Sequence, residues 1–170
     1  MTTEHGVDKR ATAIHEAGHA VIGRVLGLLC GGATIIQDED SAGHAITKDP
    51  WATLFAWEKR GKYREIKTAF RARIIAFMAG REAEIALLSS SQGGDGDDQY
   101  QIARMAAELC DDPEDWARWE PRLRRQTRRL IAHHRDTIER VAEALLEHGT
   151  LERDEIDRLV NMPSLPAPAK

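Results

Sequence analysis

Apolar residues recur three and four positions apart between residues 8 and 29. Ile14, Gly18, Val21, Ile22, Val25 and Leu29 share one face and predict a helix. Gly31-Gly32 ends it in this reading, because glycine accepts the left-handed turn after a helix C-terminus. Thr34-Ile35-Ile36-Gln37 then predicts a short strand, 38–43 carries turn chemistry, and His44-Ala45-Ile46-Thr47 predicts its partner. Asp49-Pro50 has the form of an N-cap with proline at the first helical position, opening a short helix with Trp51, Leu54, Phe55 and Trp57. A longer helix over about 63–88 buries Ile66, Phe70, Ile74, Phe77 and Met78. The aromatics Trp51, Phe55, Trp57, Phe70 and Phe77 read as core. After a Ser/Gly/Asp loop, helix resumes near Asp98 with Ile102, Met105, Ala106 and Leu109 inward. Asp111-Asp112-Pro113 punctuates, one helical stretch runs to about His148 before Gly149, and a last short helix holds Ile156, Leu159 and Val160. The fold class predicted is mainly α, with a small β-hairpin or edge strand beside the first helix.

Composition narrows the classes. The 170 residues suit one domain, and 42% hydrophobic with 31% charged residues allow a buried core. We expect residues 1–162 to form that domain and 163–170, with three prolines and no apolar period, to be a disordered tail. A net charge of −4 argues against a nucleic-acid partner. Arg118, Arg122, Arg124, Arg125, Arg128, Arg129 and Arg135 make a basic stretch, read as a solvated or subunit-facing helix. Cys30 and Cys110 are too few for a disulfide scaffold, form no CxxC pair, and point to buried thiols in a reducing, cytoplasmic setting. Residues 1–10 lack a signal peptide's apolar run, and the most apolar stretch, 17–36, carries His19 and Arg24 and is broken by Gly27, Gly31 and Gly32. No membrane insertion is expected.

The chemistry concentrates in His15-Glu16-Ala17-Gly18-His19. Residues four apart on a helix lie about 5–6 Å apart on one face, so both imidazoles can ligate one metal ion. Zinc suits imidazole nitrogens, and three protein ligands leave a fourth position open. Glu16 projects beside the ion rather than onto it, where a general base is needed. The third ligand is open among Asp95, Asp97, Asp98 and Glu84. Glu84 can alternatively accept the second ring N–H of a ligand histidine, fixing its tautomer. A calcium loop starting at Asp95 is rejected, since its twelfth position is Ala106, not glutamate.

These residues also carry a resemblance. Ala13-Ile14-His15-Glu16-Ala17-Gly18-His19-Ala20 resembles the active-site helix of the FtsH-type zinc proteases. Gly80-Arg81-Glu82-Ala83-Glu84 is similar to that family's Gly-Arg-x-Ala-Glu helix. The stretch 94–109 resembles its loop and helix with the third ligand. Ala144-Leu145-Leu146-Glu147, Thr150-Leu151 and Glu155-Ile156 resemble its C-terminal end. The resemblance spans about residues 8–160 and implies a helical zinc-peptidase domain with one zinc ion.

Asp98 best matches the family's ligand aspartate. Its helix supports the choice, because positions 4, 8 and 11 after Asp98 are Ile102, Ala106 and Leu109, whereas those after Asp97 include Glu108. The resemblance further implies that an edge strand at Thr34, Ile35, Ile36 and Gln37 binds an extended peptide by β-augmentation. His44 would stand at its rim rather than on the metal. No G-x-x-x-x-G-K-[ST] loop occurs in the sequence, so the family's ATP-driven unfolding does not carry over. The expected activity is an ATP-independent endopeptidase acting on peptides or unfolded protein. A homo-oligomer and a separate ATPase partner stay open. The alternative is an adaptor or assembly module that keeps the fold without catalysis.

Overall fold

The computed structural model describes residues 8–37, 43–91, 93 and 95–163. It is mainly helical, with 72% helix and 7% strand. In order it contains α1 (Lys9–Val25), β1 (Cys30–Thr34), β2 (His44–Thr47), α2 (Pro50–Lys59), α3 (Ile66–Leu88), α4 (Gly96–Leu109), α5 (Pro113–His133), α6 (Arg135–His148), β3 (Thr150–Leu151) and α7 (Arg153–Asn161). The expected turn at 38–42 and tail at 164–170 lie outside the described residues.

Asp8 caps α1 by accepting the Arg10 N–H. Past its first turn the helix is buried on nearly every face, as Ala11, Ala13, Ile14, Ala17, Ala20, Val21 and Ile22 dictate. It is therefore the central rod, packed between α3 and α6. Small residues set its distance from α3. A Cβ on Gly18 would stand 2.6 Å from the Ala79 carbonyl oxygen and 3.0 Å from the Ala83 Cβ, so the two backbones are in direct contact. Ile22, Ile74, Met78, Ile131, Ile138, Val141, Leu145, Leu151 and Ile156 complete the main core.

The glycines at 31 and 32 do not end the helix. Gly27, at φ +74°, follows α1, while Gly31 and Gly32 lie inside β1. A Cβ on Gly32 would meet the Leu151 carbonyl oxygen at 2.5 Å, and one on Gly31 would meet Ile46 at 3.0 Å. Close backbone approach, not chain reversal, is what these two provide. The sheet order is β2-β1-β3, antiparallel throughout, with Thr34 opposite both His44 and Thr150 and an irregularity between Cys30 and Ala33. Thr34 thus ends a central strand, not an edge strand. Ile35 follows it, donating its N–H to the Gly149 carbonyl. Among the described residues the outer strands are β2 and the two-residue β3, so β2 carries the longer outer edge.

Two other expectations change. The helix expected to run to His148 is broken at His134, so that α5 packs on α3 and α6 on α1. Trp51 and Phe55 are 53% and 58% exposed, because α2 covers α3 only with its Thr53, Leu54 and Trp57 face. Trp57 is buried and donates its indole N–H to the Gly27 carbonyl at 2.7 Å. Cys30 is buried and Cys110 half-buried. No described helix is long and apolar enough to cross a membrane.

The α1–α3 contact yields a stability test. Alanine is favoured over glycine in a helix by about 0.8–1.0 kcal/mol, but overpacking commonly costs about 1–3 kcal/mol. With its new methyl pressed on a carbonyl rather than a yielding side chain, Gly18→Ala is expected to destabilise the fold by about 1–2 kcal/mol. An unchanged or higher midpoint in chemical denaturation would refute the close contact.

Candidate metal centre

Three helices converge on one point. From α1, His15 and His19 project one turn apart, ring centroids 4.6 Å from each other and nearly perpendicular. From the first turn of α4 comes Asp98, whose Oδ2 lies 2.9 Å from His15 Nε2 and 3.1 Å from His19 Nε2. Beneath them runs α3, which anchors the other ring nitrogens. His15 Nδ1 is 2.5 Å from Glu84 Oε1, and His19 Nδ1 is 2.7 Å from the Ala76 carbonyl oxygen. That carbonyl can only accept, so His19 Nδ1 carries the proton and its Nε2 is free to ligate. Glu84 does the same for His15 with a buried carboxylate.

Among the described residues, His15, His19 and Asp98 offer ligand atoms all within 4.8 Å of one another. Two imidazoles and a carboxylate suit a divalent transition metal. Gly80 supplies the space. A Cβ there would sit 2.6 Å from His15 Nε2 and 2.6 Å from His19 Nε2, so any side chain would fill the point where both nitrogens aim.

The electrostatics match that chemistry. Burial alone would depress the His15 imidazolium, but hydrogen bonds to Asp98 and Glu84 outweigh it and push its pKa up to about 10. Burial likewise opposes ionisation of Asp98, yet His19 and His15 hold its carboxyl well below the usual carboxylate range. A cation ligated here would take over the role of the protons now shared among these groups. The helix N-terminus beneath Asp98 adds to its preference for the anion.

Glu16 is buried beside the cluster and outside it. Burial raises its carboxyl pKa, against the pull of His19 and His15. A Cβ on Gly43, just before β2, would lie 3.3 Å from Glu16 Cγ and 3.0 Å from Thr12 Cγ2, so the start of β2 is next to this carboxylate. His44 is exposed, close enough to act on the Glu16 charge, and outside the ligand cluster.

Of the remaining candidates, Asp95 turns to Arg81 and Gln99, and Asp97 is exposed. The edge-strand reading of Thr34, Ile35, Ile36 and Gln37 is corrected. Thr34 Oγ1 is 2.7 Å from Thr150 Oγ1, the Ile35 N–H goes to Gly149, and the Ile36 N–H returns to Thr34 Oγ1, so Gly149 and Thr150 cover the side of this segment away from β2. The sequence reading missed Gly80 and the Ala76 carbonyl. A glycine inside a strongly apolar helical run was the available signal, since it costs about 1 kcal/mol relative to alanine and needs a packing reason. The arginine stretch, expected on a solvated or subunit-facing helix, also turns inward within the chain, where Arg124 and Arg128 pair with buried Glu82 at 3.0 and 2.8 Å.

Comparison with curated proteins gives distant relatives. Over 203 residues the chain is 23% identical to "ATP-dependent zinc metalloprotease FtsH 4" of Sorangium cellulosum, covering 94% of this chain and 30% of that protein. Over 182 residues it is 26% identical to "ATP-dependent zinc metalloprotease FtsH 1" of Symbiobacterium thermophilum, covering 91% of this chain and 29% of that protein. The chain therefore spans less than a third of the length of these relatives. No family model matches it. The similarity is to FtsH zinc metalloproteases, and it is a distant one.

The geometry predicts where zinc affinity resides. Gly80→Ala should lower it at least about 100-fold by filling the ligand focus while leaving the helical circular dichroism intact. Asp98→Ala should do the same, and Asp95→Ala and Asp97→Ala should stay within about threefold of the parent. Competitive titration against a chelating dye measures all four, and undiminished binding by Gly80→Ala would place the ion elsewhere.

Proposed function

We propose that this chain is a zinc-dependent endopeptidase that cuts extended or unfolded polypeptide without ATP. The observation that carries the reading is the pairing of a three-ligand cluster, His15, His19 and Asp98, with a buried glutamate, Glu16, that adjoins the cluster but does not belong to it. A structural zinc site has no use for such a base and tends to close its fourth position with another ligand. The distant likeness to FtsH zinc metalloproteases supports the same reading.

In this reading His15, His19 and Asp98 hold the ion, with Glu84 and the Ala76 carbonyl orienting the imidazoles. Zinc, when bound, supplies Lewis acidity that polarises the scissile carbonyl and acidifies the attacking water. Glu16 accepts the proton from that water and delivers it to the departing amine nitrogen. Burial strengthens Glu16 as a proton acceptor, and the neighbouring imidazoles oppose that effect. The unpaired edge of β2 begins beside Glu16 and supplies main-chain hydrogen bonds to an extended substrate. Main-chain pairing demands an extended segment and ignores most side chains, so unfolded protein is the fitting substrate class. Nothing in the sequence forms a phosphate-binding loop, so the hydrolysis itself requires no nucleotide.

Glu16→Gln is expected to keep zinc and lower kcat by at least about 100-fold, the scale of a lost general base. Loss of zinc would make Glu16 a ligand, and full activity would remove it from the mechanism.

Casein should be cut by the zinc-loaded chain, a tightly folded protein should survive, and a chelator should stop the reaction. Adding ATP should change neither rate. Casein left intact by the zinc-loaded protein would favour a non-catalytic adaptor instead.

A further inference from the structure

Arg73 lies on the side of α3 that faces the candidate site. Its guanidinium stands 5.3 Å from the centroid of the Phe77 ring, and Phe77 in turn is 6.0 Å from the His19 ring. One terminal nitrogen donates to the Thr47 carbonyl at 3.3 Å. Its Nε is buried and has no hydrogen-bond partner, and among the described residues Arg73 forms no ion pair. Half-buried cations normally find a carboxylate. The one acting on Arg73 is Asp49, whose side chain is engaged in capping α2, and Arg104 of α4 adds a second positive charge. Burial and Arg104 together lower the Arg73 pKa against the pull of Asp49.

The position on the sheet shows what such a cation meets. The Lys48 N–H points at β1, donating to the Leu29 carbonyl. Alternate residues of a strand face alternate edges, so the Thr47 carbonyl points out from the unpaired edge of β2, where Arg73 takes it. Arg73 therefore closes that edge at Thr47, while Glu16 adjoins its other end at Gly43. The sheet is antiparallel throughout, and antiparallel addition is the stronger pairing. A chain added antiparallel to β2 runs from Arg73 toward Glu16, so the residues N-terminal to its scissile bond reach Arg73.

We propose that Arg73 forms a cationic subsite that receives an aspartate or glutamate side chain about three to five residues N-terminal to the cut bond, the spacing set by a strand rise of about 3.4 Å per residue. The inference rests on the peptidase reading for the direction of the substrate, and deepens it by giving the substrate an acidic determinant.

Binding separates the two. The zinc-loaded Glu16→Gln protein is titrated with fluorescein-labelled extended peptides carrying glutamate or glutamine at those positions. The glutamate peptide should bind about tenfold tighter, the scale of one charge-assisted hydrogen bond in a half-buried site. In Arg73→Gln the ratio should fall to about one, in Arg73→Lys it should be partly kept, and in Arg104→Gln, at an exposed position, it should be reduced. Equal binding of both peptides, or a ratio that survives Arg73→Gln, overturns the subsite. If circular dichroism shows Arg73→Gln misfolded, Arg73→Lys and Arg104→Gln decide by the same ratio. Cleavage by the parent chain is read separately. Arg73-dependent selectivity without any cleavage would sink the peptidase reading and leave the subsite standing, and cleavage without selectivity would do the reverse.

Discussion

Backbone contact between α1 and α3 is the constraint on which the site depends. No side chain separates Gly18 from the Ala79 carbonyl, and none separates Gly80 from the two imidazoles. At a wider separation, set by larger residues, the Ala76 carbonyl would not reach His19 Nδ1. The same closeness puts Glu84 against His15. A run of alanines and glycines, unpromising as a source of hydrophobic energy, thus fixes both ring orientations. The remaining core compensates with branched residues from α5, α6, β3 and α7 that pack around the pair.

Charge is distributed across α3 with similar economy. Glu82 and Glu84 are two residues apart and both buried, yet they serve opposite sides of the helix. Glu84 faces α1 and a histidine, and Glu82 faces α5 and two arginines. Each buried carboxylate is matched to cationic or N–H donors, as buried acids must be. Glu82 is held between Arg124 and Arg128, one turn apart on α5, which ties that helix to the back of α3. Arg71 and Arg73 are the exceptions, half-buried cations on α3 that form no ion pair among the described residues.

Much of this was legible in the chain. Helical periodicity puts His15 and His19 on one face, and the apolar stripe leading from Asp98, together with the family resemblance, singles out that aspartate; the three side chains lie together in the fold. Less legible were features that depend on what lies across a contact. Gly31 and Gly32 carry the signature of a helix stop, but their role is set by Ile46 and the Leu151 carbonyl, distant in sequence. The break at His134 has no proline or glycine to announce it, and it follows from α5 and α6 packing on different partners. Trp51 and Phe55 have core-like composition, but α2 is too short and peripheral to bury more than one face. Thr34–Gln37 reads as a short strand whose edge position only the family resemblance implied, and the return of β3, well over 100 residues later, makes Thr34 central.

The one-sided sheet has a consequence for assembly. With the two-residue β3 covering the far side of β1, β2 is the longer outer strand on which the sheet can be extended. Such an edge recruits any extended backbone, including the same strand from another molecule. Under the proposed function, two copies zipped together there would cover the edge assigned to substrate, so an active oligomer would leave β2 free. In an antiparallel pairing each copy's Thr47 end, with Arg73, would meet the Gly43 end of the other, beside Glu16, so charge would not hold the two edges apart.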